Sequence, residues 1–410
     1  MKVLMLSWEY TPHIVGGLGK HVVEIVPELI ADGVEVHLVV PKLSGGEWNE
    51  PLPMPDGSPA TNGSQVYRID VGTNMGNFFT DTWHNNIGVE EFCTHLIRHQ
   101  GGFDLIHDHD WLSGFAAIAL KHDLHLPMVA TIHATEMGRN SGNLWGDMQR
   151  SIHQAEWWLT YEAWRIIACS EYMAWEVEKY FGAPRGKVDV IPNGVDPRRF
   201  DALHGLDLAS FRLGFAQPNQ PIVYYVGRMV PEKGLSVLID SVPLVLREWP
   251  EVKFVLAGGG GYANDLRAKA NALGVADNII FTGRISDEVR DGLFKVADCA
   301  VFPSLYEPFG IVALEAMAAG TPVVVSETGG LSEVVKLHET GITVHPNDPG
   351  SLAWGILHTL RHPEWSRQRA ENANRVVRSE FNWARIADMT LQVYNRTLNE
   401  AKAGDWAYRD

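Results

Sequence analysis

Short apolar runs recur along the chain, each closing in a polar or glycine-rich loop and each followed by a helical pattern. "KVLMLSW" predicts a first strand, "GLGKHVVEIVPELIADG" a helix and "EVHLVVP" a second strand. "FDLIHDHD", "PMVATIHAT", "RIIACS" and "VDVIPNGVD" predict further strands, and "NLWGDMQRSIHQAEWWLTYEAW" a long helix. The stretch 44–64, rich in Gly, Pro and Asn, predicts an irregular excursion. Strands that alternate with helices predict an α/β fold of parallel sheets covered on both faces.

Around Asn193–Arg199 the pattern breaks, because "PNGVDPRRF" holds two prolines and a glycine, and a hinge is expected there. A second series then runs through "PIVYYVG", "KFVLAGGGG", "NIIFTGR", "CAVFPS", "TPVVVSE" and "GITVHP". The pattern therefore predicts two doubly wound, Rossmann-like domains facing a cleft. The expected bounds are 1–195 and 196–380. A tail, 381–410, carries a last helix near Ala384–Ala401 that crosses back to the first domain.

Composition narrows the function. A chain of 410 residues is too long for one comfortable core. A net charge of −16 argues against nucleic acid and anionic membranes as partners. An anionic ligand must then be held by a local positive site. Cys93, Cys169 and Cys299 are scattered and form no metal or redox pair motif, which predicts a reducing, cytoplasmic setting. "MKVLMLSWEY" has no signal-peptide pattern, and no integral membrane segment is expected, since no apolar stretch is long enough to span a bilayer. Most of the 14 tryptophans are expected in the core, although Trp8, Tyr10, Trp111 and the "EWWLTYEAW" helix also offer aromatic surface to a sugar.

The densest chemistry lies in "FPSLYEPFGIVALEAMAAGTPVV". The segment reads as strand end, loop, helix and strand, with Pro308 in the first helical turn and Gly320 as the stop. Glu307 falls in the loop and Glu315 in the helix. The free N–H groups near Phe309, Gly310 and Ile311 would attract an anion or polar oxygens. In "PIVYYVGRMVPEKGLSVLIDSV", Arg228 and Lys233 follow a strand and precede a helix from Gly234, an arrangement suited to clamping a diphosphate.

Other motifs are weaker. Gly16, Gly17 and Gly19 let backbone approach a ligand, but the spacing is not that of a dinucleotide fingerprint; "LAGGGGYAND" is no better. In "IHDHDWLSG", His107, Asp108, His109 and Asp110 alternate across a strand, so the four cannot meet one ion without a tight turn. No further ligand-rich cluster accompanies them, and no metal site is expected. Asp110 and Trp111 are instead expected near an acceptor. His133, just past a strand end, is expected to be functional.

Taken in order, "GGLGKHV", "HDHDWLSG", "TIHATE", "IPNGVD", "VGRMVPEKG" and the Glu-x7-Glu segment resemble the retaining nucleotide-sugar glycosyltransferases of the GT-B fold, family 4. The resemblance is strongest to bacterial and archaeal glycogen-synthase-like members and runs from Met1 to about Tyr394. It implies hexosyl transfer of the EC 2.4.1 type, with glucose from ADP- or UDP-glucose passing to an α-glucan or other sugar. A sucrose- or trehalose-type synthase with a small sugar or sugar-phosphate acceptor, or a GT-B sugar-nucleotide epimerase, is the alternative. Neither a cofactor nor a metal is implied.

By the same resemblance, His133, Arg228, Lys233 and Glu307 are the catalytic set. Arg228 and Lys233 hold the donor diphosphate, Glu307 meets the sugar hydroxyls and His133 contacts the donor sugar from the opposite domain. Gly16 and Gly17 approach the diphosphate, Phe309, Gly310 and Ile311 give backbone N–H groups, and Glu315 bonds the ribose. Arg284 and Ile285 edge the base. One departure stands out: Ile14 and Val15 occupy the place of the Lys-Thr pair of the large bacterial glycogen synthases, which removes one cation. That favours the broader family over that class.

Overall fold

The computed structural model describes residues 1–72, 76–203, 205, 207–404 and 406. They divide into two compact units, one made of 1–193 with 383–410 and the other of 194–382. Among the described residues no helix is long and apolar enough to cross a membrane.

The first unit is built on an eight-stranded sheet. Its strands are β1 (Lys2–Leu6), β2 (Glu35–Pro41), β3 (Asn49–Pro51), β4 (Gln65–Ile69), β5 (Leu105–His109), β6 (Met128–Ile132), β7 (Arg165–Ala168) and β8 (Val188–Val190). The order is β3-β4-β2-β1-β5-β6-β7-β8, parallel throughout except for β3 at one edge. Strands β5 and β6 are buried along their whole length, as helices on both faces require. Helix Gly17–Ala31 presents Leu18, Val22, Ile25, Val26 and Leu29 to that core at helical spacing. Helix Trp383–Ala403 lies against it and buries Ile386, Val393 and Tyr394.

Several elements escape the sequence pattern, among them β3, which lies in the stretch expected to be irregular, and β4. Another is helix Phe78–Gln100, whose buried face carries Thr82, Asn85 and Asn86 where apolar residues would announce it. Those amides have partners. Asn86 donates to the carbonyls of Thr82 (2.7 Å) and Leu112 (2.8 Å) and accepts from the Ala116 N–H (2.9 Å). The helix is thus tied to the loop after β5 by hydrogen bonds that satisfy buried polar groups.

The second unit holds a six-stranded parallel sheet of β9 (Ile222–Val226), β10 (Lys253–Ala257), β11 (Ile279–Gly283), β12 (Cys299–Phe302), β13 (Val323–Ser326) and β14 (Ile342–Val344). The order β11-β10-β9-β12-β13-β14 is the doubly wound one. The direction of winding reverses between β9 and β12, and in the first unit between β1 and β5. Open α/β sheets bind ligands outside the carboxyl ends of strands at such a reversal. The loops that follow those strands carry most of the chemistry.

Candidate active site

In the second unit the loop after β9 runs Gly227–Gly234 and the loop after β12 runs Pro303–Gly310. Gly234 brings them together. Its φ is +67°, and a Cβ there would stand 1.9 Å from the Pro303 carbonyl oxygen. Only glycine allows that approach. The contact sets the Lys233 ammonium 2.7 Å from Glu307 Oε2, which also accepts from the Ser304 hydroxyl at 3.0 Å. Both charged side chains are largely buried. The Arg228 guanidinium is about half exposed and 3.7 Å from Glu232, so it stays open to a ligand.

Helix Ile311–Ala319 begins after these residues. Pro308 was expected in its first turn; it lies three residues earlier, in the loop. Gly310 makes the turn instead, with φ +106°. Gly330 packs against the loop so closely that a Cβ would come within 2.5 Å of Phe309 Cα and the Pro308 carbonyl oxygen. Phe309 itself is buried, 6.1 Å from the ring of Phe381. The backbone of Phe309, Gly310 and Ile311 therefore sits at the start of a rigidly seated helix.

Glu315, one turn into that helix, is buried and ion-paired with Arg199 at 3.0 Å. Arg199 also pairs with Asp291 at 3.0 Å. Sequence reasoning missed both partners. The only signal was "DPRRF", which reads as a linker until folding carries Arg199 to the helix. Arg284 and Ile285 follow β11, at the far edge from the reversal. The Arg284 side chain lies beside Gly259. The glycine run of "LAGGGGYAND" has a packing role, since Cβ atoms at Gly258 and Gly260 would fall 1.9 Å and 2.3 Å from the carbonyl oxygens of Gly227 and Met229.

In the first unit, Gly16 caps helix Gly17–Ala31. The Gly16 and Val15 amides already donate to Glu9 Oε2, at 3.0 and 2.8 Å. The Glu9 carboxylate thus ties this loop to the end of β1. Asp110 has φ +63° and is buried. Its carboxylate accepts from the His133 N–H at 2.7 Å, and burial pushes its pKa up to about 7. Asp110 therefore holds the loop that carries His133. Trp111, expected to offer surface to an acceptor, does not: it is buried, stacked on Phe79 at 5.6 Å and packed with Ile152 and Ala155. A large indole beside a small apolar cluster gains more from burial than from exposure.

The His-Asp run alternates as a strand must. His107 and His109 share one face, ring centroids 4.3 Å apart, while Asp108 faces the other side against Gly114. His107 is fully engaged, with Tyr394 Oη at 2.6 Å and Thr131 Oγ1 at 2.8 Å. His109 meets partners that linear spacing hides: its Nδ1 is 3.1 Å from His133 Nε2, and His21, from helix Gly17–Ala31, stands beside both. Burial holds all three imidazoles below their ordinary pKa, His21 at about 4.

The sequence matches two families. Residues 15–199 match "Glycosyltransferase Family 4" and residues 211–376 match "Glycosyl transferases group 1". A glycosyltransferase of Methanocaldococcus jannaschii is 37% identical over 396 residues, covering 96% of this chain and 98% of that protein. Glycogen synthase of Mycobacterium tuberculosis is 35% identical over 402 residues, covering 96% of this chain and 94% of that protein. Sucrose-phosphate synthase from Thermosynechococcus elongatus superposes with a TM-score of 0.77 at 24% identity, over 97% of this chain and 99% of that one; the two share the fold. The expected GT-B architecture of two parallel-sheet α/β domains is confirmed. Its sequence, its sheet topology and its relatives together place this chain among the family 4, glycogen-synthase-like glycosyltransferases.

Proposed function

We propose that the protein is a retaining, metal-independent hexosyltransferase of the EC 2.4.1 type that moves glucose from ADP- or UDP-glucose to an α-glucan or other sugar acceptor. The observation that carries this reading is the Lys233–Glu307 contact at the β9/β12 reversal, with Arg228 open beside it. Breaking the bond from the anomeric carbon to phosphate puts positive charge on the sugar and negative charge on the leaving diphosphate. Arg228, Lys233 and the helix start at Phe309–Ile311 stabilise the diphosphate as its charge grows. That is the service a metal would otherwise supply. Glu307 accepts from sugar hydroxyls and keeps Lys233 in place. Glu315, steadied by Arg199, accepts from the ribose hydroxyls. The sequence resemblance assigns His133 to the donor sugar, Gly16 and Gly17 to the diphosphate, and Arg284 and Ile285 to the base.

The relatedness to a glycogen synthase supports a glucan acceptor. A cytoplasmic setting is supported by Cys93, Cys169 and Cys299, which are buried and unbridged. The test is a panel of ADP-, UDP- and GDP-glucose against glucan, maltose and sugar-phosphate acceptors in EDTA. Product anomers are read by NMR. One donor should give an α-linked product with EDTA present; a β-linked product, or activity only with added metal, contradicts the proposal.

A further inference from the structure

We propose that His21, His109 and His133 form a binding site for a transition-metal dication of the Zn2+ type. One ring nitrogen from each lies within 4.8 Å of the other two. The spacing of His109 Nδ1 and His133 Nε2, 3.1 Å, is near the edge of a tetrahedron with bonds of about 2.0–2.1 Å. The three rings come from separate elements: helix Gly17–Ala31, the last residue of β5 and the segment after β6. Centroid separations of 5.0–5.5 Å place them around a common centre.

The His21 proton is already disposed for a ligand, and the one proton shared between His109 Nδ1 and His133 Nε2 leaves when an ion takes its place. His21 Nδ1 sits 2.7 Å from Asn193 Oδ1. An amide oxygen only accepts, so the His21 proton is on Nδ1 and its Nε2 presents a bare lone pair. Metal-bound histidines are oriented by this same kind of bond on the remote nitrogen. His109 is completely buried and its Nε2 has no hydrogen-bond partner. That nitrogen is the remote one, able to carry the ring proton when Nδ1 binds an ion. Burial disfavours the charged form of each ring, and the neutral ring is the one that binds metal. Neutral imidazoles favour zinc, copper and nickel over magnesium or calcium. His133 is less buried than His21 and His109, which leaves a path for the ion and a place for water.

Transfer would not use this ion. By claiming His133, it would oppose the donor-sugar contact, so Zn2+ is expected to inhibit. That consequence rests on the proposed function above; the binding does not.

The test is equilibrium dialysis of the full chain against Zn2+, with Co2+ absorption as the geometric readout. The wild type should bind one equivalent and give the visible d–d band of low-coordinate Co2+. His21→Ala and His133→Ala should lose that equivalent and the band, while His358→Ala, on the other unit, retains them. Asn193→Ala, which removes only the orienting acceptor, should weaken binding by about 10- to 100-fold. Circular dichroism checks folding of each variant, and the wild-type titration stands even if a variant fails to fold. The site is overturned if the wild type binds no equivalent, if its Co2+ spectrum is octahedral, or if folded His21→Ala and His133→Ala bind as the wild type does. Binding without inhibition of transfer would uphold the site and overturn the role given to His133.

Discussion

The ammonium of Lys233 lies 2.7 Å from Glu307 Oε2, joining the two loops that leave the sheet where its winding reverses. Each side chain neutralises the other until a donor arrives. Lys233→Ala should fold and lose about 100- to 1,000-fold in kcat, the usual cost of removing one group that stabilises developing charge. Glu307→Gln should fall by a similar factor. The double variant should be little worse than either alone, because residues that act as a unit are strongly non-additive. Steady-state rates at saturating donor check all three.

Gly234 makes that contact possible. Gly234→Ala would drive a Cβ into the Pro303 carbonyl at a backbone angle that alanine resists. The loop must move and carry Lys233 from Glu307. Transfer should drop as in Lys233→Ala. Gly261→Ala, whose Cβ would meet nothing within 4 Å, should change the rate less than twofold.

Arg199 and Glu315 form a pair of a different kind, since Glu315 is almost fully buried. Breaking a buried pair is strongly destabilising, and the nearby Arg290 charge compensates the Glu315 carboxylate only in part. Arg199→Met should lower the stability of the second unit by about 3 kcal/mol and weaken nucleoside diphosphate binding. Adding Glu315→Gln should return part of the stability and none of the affinity. Urea midpoints and calorimetry separate the two effects.

Glu156 is a buried carboxyl whose pKa burial raises well above the usual range, although the Arg139 charge and the Glu136 N–H oppose the shift. A raised folded pKa means that its contribution to stability is whole below about pH 4, the unfolded value, and is lost as pH climbs through the folded one. Glu156→Gln still accepts from Glu136. It should melt higher than wild type at pH 8, with the gap closing by pH 4. A gap of constant size across that range would mean that ionisation of Glu156 is not its source.

Most of both sheets could be read from the chain because strands such as β1, β9 and β12 are continuous apolar runs, and the site loops because glycine, proline and charge punctuate them. Helix Phe78–Gln100 could not, because Asn85 and Asn86 on its buried face are satisfied by bonds to distant backbone rather than by apolar neighbours. Arg199 reads as part of a solvated linker, and its meaning is the Glu315 carboxylate more than a hundred positions away. Trp111 misleads in the opposite sense. Beside an Asp-rich loop it suggests a sugar contact, yet Phe79, from a helix with no clear pattern, covers its face. The gathering of His21, His109 and His133 arises wholly from strand order, which sets helix Gly17–Ala31, β5 and the end of β6 side by side.

The central claim is that charged groups in the second unit drive departure of a nucleoside diphosphate from a sugar. Its most direct measurement is acceptor-dependent release of nucleoside diphosphate by wild type and Lys233→Ala, at saturating nucleotide-glucose in EDTA. The account predicts steady release by the wild type and a loss of about 100-fold or more in the variant. Equal rates in the two proteins would contradict it.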